Sequence, residues 1–216
     1  MSTGNNPSLW NDVKAAAKVA GKKANVAAQK AKIHAELVIV KNKIKTRKHQ
    51  FGIELYDFLV PFAEKDPSFI IESDTLTHIQ GLFVTAFKDN KALLQKKAAK
   101  EQDLNRAYEK RAMAFPVPAE TISEKVVNAG KSAKMAGNET ALKTKMNMYE
   151  MEMNENKKNF GVQAYGLLVQ LEDNSKWLPT DRDVRFFYDQ ARREIMQMEQ
   201  ERANKEADLG VLGLQV

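Results

Sequence analysis

The sequence predicts an all-α fold, and three observations carry that prediction. Apolar residues recur at alternating steps of three and four over long stretches, whereas no segment alternates polar with apolar as a half-buried strand would. Prolines gather at the junctions Asp66-Pro67, Pro116-Val117-Pro118 and Pro179, with Pro61 late in the first long segment. Finally, the chain repeats itself. Phe51-Gly52-Ile53-Glu54-Leu55-Tyr56 returns as Phe160-Gly161-Val162-Gln163-Ala164-Tyr165, an offset of 109. The same offset sets Ala20-Gly21-Lys22 on Ala129-Gly130-Lys131, and gives 11 identities over the 48 positions from Val13 to Val60.

Four helices follow in order. Residues 1–8 are polar and read as a disordered N-terminus. From about Ser8 to Phe62, strong helix formers (Ala, Lys, Gln) dominate the first half. Trp10, Val13, Ala17, Ala20, Ala24, Ala27 and Ala31 keep heptad-like spacing, and the stripe then moves to Ile33, Leu37, Val40, Ile44, Phe51 and Phe58. Ser73-Asp74 offers an N-cap for a second helix carrying Leu76, Ile79, Phe83, Phe87, Leu94 and Leu104 to about Ala114. The proline-containing junction spans 115–119. A third helix opens at Glu120 or Thr121 and runs to about Asp173. Thr180 with Asp183 forms a capping-box-like start for a fourth, carrying Val184, Phe187, Tyr188, Ala191, Ile195 and Met198 to Leu209-Gly210. The two shorter helices close alike, Lys100 to Leu104 and Lys205 to Leu209, at an offset of 105. The reading is two tandem copies of a long-helix/short-helix hairpin, 9–114 and 120–209, in an elongated coiled-coil-like bundle with an apolar tail at 210–216.

The retained residues are structural in character. A mid-helix glycine costs about 1 kcal/mol relative to alanine. Gly52 and Gly161 are therefore expected to admit a neighbouring helix closely, with Phe51 and Phe160 filling the space beside them. Tyr56 and Tyr165, one turn on, are expected to bury their rings and keep their hydroxyls wet. The Ala-Gly-Lys-x-x-Ala segments supply small residues for close helix pairing, within the chain or with a second copy.

Charge is unevenly distributed. Residues 1–50 hold 11 Lys/Arg against Asp12 and Glu36, while the other 166 residues hold 23 against 26 Asp/Glu. A basic arm on a near-neutral body suits an anionic partner. Lys14, Lys18, Lys22, Lys23, Lys41, Lys43, Lys45, Arg47 and Lys48 are the candidate patch. In the second copy the counterpart of Lys41 to Lys48 is Glu150 to Lys157, nearly opposite in charge. This points to a basic face meeting an acidic one, within or between molecules.

Catalytic chemistry is not visible. His34, His49 and His78 are scattered, and no cysteine supplies a nucleophile, disulfide or thiolate ligand. Gly130-Lys131-Ser132 imitates the end of a phosphate-binding loop, but Lys125 stands where that loop needs its first glycine. The sequon Asn138-Glu139-Thr140 falls within a helix. No cofactor, metal or small-molecule substrate is expected, and the chain reads as non-enzymatic. With no signal peptide and no transmembrane run, a cytoplasmic location is expected, nuclear as the alternative.

Long basic helices followed by acidic segments are similar in general look to BAR-domain and ESCRT-III proteins. That resemblance implies a peripheral membrane-binding role for the basic first helix. The reading from the residues themselves is an interaction scaffold that self-associates or binds a protein partner. Membrane binding is second, and non-specific nucleic-acid binding through the same lysines third.

Overall fold

A computed structural model describes residues 7–65, 79–114, 122–173 and 182–214, and among these the chain is an all-α bundle. Helix α1 is Pro7–Lys65, α2 Gln80–Ala114, α3 Ile122–Asp173 and α4 Arg182–Gly213. Proline at the first position of α1 fits, because its missing N–H would have no intrahelical partner there. Pro61 lies four residues before the end of α1, so the helix loses one late hydrogen bond and continues to Lys65. Helix α4 passes through Gly210 to Gly213, beyond the end read from the sequence at Leu209-Gly210. The caps at Ser73-Asp74 and Thr180, and the junction 115–119, lie outside the described residues.

The chain divides into two compact units, residues 1–47 with 189–216, and residues 48–188. In the first, α1 and α4 run antiparallel. Glu36 accepts a hydrogen bond from Lys205 at 2.7 Å, and Arg47 donates to Glu194 at 2.6 Å. Eleven residues forward on α1 thus match eleven backward on α4. Leu37, Val40 and Ile44 are buried on α1, with Ala191 and Ile195 on α4. These positions keep steps of three and four on α1 and a step of four on α4, the spacing that keeps one stripe facing a partner. The same register sets the end of α4 near residue 28 of α1. Upstream of it, every residue from Lys18 to Asn25 is exposed.

The Lys205–Glu36 pair makes this unit pH-sensitive. The hydrogen bond from Lys205 holds the Glu36 carboxyl below its ordinary 4.5, and the same bond raises Lys205 above 10.5. A lowered carboxylate stabilises the fold above its unfolded value, and that support disappears as pH falls through the folded one. A raised amine supports the fold below its unfolded value and loses effect as pH rises through the folded one. The urea midpoint of wild type should therefore exceed that of Glu36→Gln most clearly between about pH 5 and pH 10. The gap should close below about pH 4. A gap that persists unchanged at pH 3 would assign the effect to packing.

In the second unit α2 and α3 run antiparallel. Asn156 donates to Asn90 at 3.0 Å, Lys97 pairs with Glu150 at 2.7 Å, and Arg111 with Glu139 at 3.1 Å. The buried residues of α2 are Phe83, Ala86, Asn90, Leu93 and Leu104, with Ile79 buried just before the helix begins. Phe87 is half-buried and Leu94 exposed, so the sequence stripe had strayed one residue to the side of the true seam. At an offset of 105, Val184, Tyr188, Ala191 and Ile195 are buried as Ile79, Phe83, Ala86 and Asn90 are.

Candidate functional site

Two places gather the residues that the sequence singles out. The first is a helix crossing in the 48–188 unit. There Gly52 of α1 meets Gly161 of α3 backbone to backbone. A Cβ on Gly52 would stand 2.5 Å from the Lys157 carbonyl oxygen and 2.6 Å from the Gly161 nitrogen. One on Gly161 would stand 2.7 Å from the Lys48 carbonyl oxygen. No real Cβ tolerates such distances, so glycine on both helices is what lets them touch.

Around this contact the pairs are reciprocal. Phe51 packs edge-on against Tyr165 at 6.0 Å, and Phe160 edge-on against Tyr56 at 6.2 Å. Lys48 sits 5.0 Å over the Tyr165 ring, and Lys157 5.2 Å over Tyr56. Phe83 touches Tyr56 at 5.5 Å, and Tyr188 touches Tyr165 at 6.0 Å. Every long-helix residue here therefore plays the part of its counterpart 109 positions away. Such edge-to-face and cation–ring contacts add roughly 0.5–1.5 kcal/mol each beyond area burial. The expectation of wet tyrosine hydroxyls fails at Tyr165, whose hydroxyl oxygen is buried. Tyr188, wholly buried, lies beside it with ring centroids 6.0 Å apart.

The second place is the basic face of α1. Lys14, Lys18, Lys22, Lys23, Lys41, Lys43 and Lys45 are all exposed. None of the seven has a carboxylate within ion-pair distance among the described residues. Arg47 and Lys48 do not belong with them. Arg47 is buried on the α1–α4 seam against Glu194, and Lys48 is half-buried over Tyr165. The reason is register, since Val40, Ile44, Arg47 and Phe51 follow steps of four, three and four into the core.

The alanines expected to form a seam face solvent. Ala20, Ala24, Ala27 and Ala31 are exposed, as are Ala129 and Ala133. The acidic segment of α3 is answered locally instead, Glu150 by Lys97 and Glu155 by Lys158.

Sequence reading missed three buried polar residues, Arg47, Asn90 and Glu139. It also missed a cavity of about 300 Å³ in the 48–188 unit, lined by α1, α2 and α3. Among the described residues no group of three His, Asp or Glu side chains comes together as a metal site, and no helix is long and apolar enough to cross a membrane. Comparison with protein families, curated proteins and solved structures finds no match to this chain.

Proposed function

We propose that this chain is a non-enzymatic helical interaction scaffold whose uncovered basic helix docks an acidic helical protein partner. The observation that carries the reading is the exposure of α1 from Lys18 to Asn25, beyond the reach of α4. From Leu37 to Arg47 α1 is held by the heptad seam, and at Gly52 by the glycine crossing. Among the described residues no element covers this stretch, and the sequence between Asp12 and Glu36 contains no carboxylate.

Chemistry favours a protein over the other anionic partners. Exposed Ala20, Ala24, Ala27 and Ala31 offer methyl groups that let a second helix approach, but almost nothing to insert into a bilayer. No Phe, Tyr or Trp stands between Trp10 and Phe51 to stack on bases. A second copy of the same arm would set lysine against lysine. An acidic amphipathic helix meets both the small-residue row and the charge.

The reciprocal contacts around Gly52 and Gly161 support a duplication as the origin of the chain. On this view the two copies kept their packing positions and diverged in surface charge, which left one basic face free for a partner.

The test is fluorescence anisotropy of a labelled acidic amphipathic helix against the full chain, with phosphatidylserine vesicles and single-stranded RNA as comparators. Changing Lys14, Lys18, Lys22, Lys41, Lys43 and Lys45 to Glu should abolish peptide binding without loss of helicity. Wild-type binding should fall at least about tenfold when the Debye length is shortened from about 14 to 6 Å by added salt. Tighter binding to vesicles or RNA than to the acidic helix would overturn this reading, and so would peptide binding that survives charge reversal.

A further inference from the structure

We infer that the acidic helix docked by α1 is α4 of a second copy of this chain, so that copies join head to tail. This rests on the docking reading of α1 above and names its partner. It starts from the two outer edges of the α1–α4 unit.

At about 100° per residue, Ala28, Ala31, Ala35 and Val38 lie roughly opposite the seam residues Leu37, Val40 and Ile44 on α1. All four are exposed, Val38 at 57%, and Ile39 beside them is 53% exposed. The same step sets Met196, Gln200, Ala203, Ala207 and Val211 on one face of α4, roughly 140° from Ala191 and Ile195. These are exposed too, Met196 at 52% and Val211 at 57%. Glu36 beside Lys205 and Arg47 beside Glu194 put the two edges level with each other. Each helix therefore buries one face in the seam and leaves an apolar row on the outside. Large apolar side chains exposed in such rows mark interaction surfaces.

Charge decides what covers each row. From Lys23 to Lys45, α1 holds six lysines against Glu36 alone. From Met196 to Val211, α4 holds Glu199, Glu201, Glu206 and Asp208 against Arg202 and Lys205. Lys205 is drawn across the seam to Glu36. The contacts within α4, Arg202 to Glu206 and Lys205 to Glu201, are 3.7 Å pairs one turn apart on a wet surface and hold their carboxylates weakly. Laid on its own kind, the α1 row sets lysine against lysine, and the α4 row sets carboxylate against carboxylate. Laid on each other they match in charge. They also match in length, since Ala24 to Ile39 and Met196 to Val211 each run about 22 Å. The rows are on opposite edges of the unit, so a copy that gives α4 to one neighbour still offers α1 to another. Such a contact is heterologous and builds a ring or an open chain.

The experiment is sedimentation velocity of the full chain at concentrations up to about 100 μM, enough to populate contacts of micromolar Kd. Mass should grow with concentration at low salt and fall toward a single chain at high salt. Lys41→Glu, Lys43→Glu and Lys45→Glu together should weaken assembly at least about tenfold, and so should Glu199→Lys, Glu206→Lys and Asp208→Lys together. Either set alone opposes like charges at every contact. Mixed in equal amounts, the two variants should assemble again, because each supplies the face that the other lacks. That rescue needs both chains folded, so it separates a lost contact from a lost fold. Assembly that survives both reversals would overturn the inference, as would two variants that keep their helicity and gain no mass on mixing. A wild type that stays a single chain throughout would overturn it as well. Continued binding of the labelled acidic peptide by that single chain would leave the docking reading of α1 standing, so the two fail separately.

Discussion

Alanine at Gly52 or Gly161 is expected to destabilise the protein by about 3 kcal/mol or more, at the upper end of what overpacking costs. The atoms a new Cβ would strike are backbone atoms of the opposite helix, including the Lys157 and Lys48 carbonyl oxygens. Backbone cannot rotate aside as a side chain can, so α1 and α3 must move apart. Separation would loosen the Phe51–Tyr165 and Tyr56–Phe160 pairs together, since both depend on the same approach. The double variant should therefore cost clearly less than the two single losses added, as expected for residues sharing one contact. Gly21 and Gly130 are the controls, because a Cβ there meets nothing within 4 Å. Alanine at either should be neutral, or stabilising by up to about 1 kcal/mol. Urea titrations followed by far-UV circular dichroism read all five variants. A Gly52→Ala midpoint equal to that of Gly21→Ala would mean the helices do not cross there.

The glycine crossing was legible because two copies of one pattern restrict each other. A lone mid-helix glycine says little, but Phe-Gly with Tyr four residues on, found twice, points to a contact that both segments need. Helix identity was legible for the same kind of reason, since heptad spacing over tens of residues leaves no room for a strand. The partner of each helix was harder to read. Chain order suggests that α2 covers α1, yet Glu36 to Arg47 of α1 pair with α4, and α2 lies along α3. Hydrophobic spacing tells which face is covered and not by what. The cavity was hidden for a different reason. Asn90 lies in the stripe Phe83, Ala86, Asn90, Leu93, but a search for apolar residues steps over it to Phe87 and Leu94. A polar residue on a core register, compared with Ile195 at the position 105 further on, was the signal available.

Arg47 raises the same problem in a sharper form, and it supplies the second large effect. By composition it belongs to the run from Lys41 to Lys48. By register it belongs to the seam, and its side chain is only 10% exposed against 42% for its partner Glu194. The two ends of this ion pair should therefore respond unequally. Glu194→Ala removes a carboxylate that the buried guanidinium contacts at 2.6 Å, and a loss of about 3 kcal/mol is expected. Arg47→Leu leaves only Glu194, which can turn to water, and it sets leucine on a core position between Ile44 and Phe51. That change should fall within about 1 kcal/mol of wild type or be stabilising, as often happens when a buried ion pair gives way to apolar packing. Arg47→Lys should be worse than Arg47→Leu, because an ammonium is held in the same enclosed place with fewer donors. On the proposal that the exposed lysines dock an acidic helix, none of the three should alter affinity for it. If Arg47→Leu instead weakens that binding as strongly as reversal of Lys41, Lys43 and Lys45, Arg47 faces the partner and the α1–α4 seam has been drawn in the wrong register.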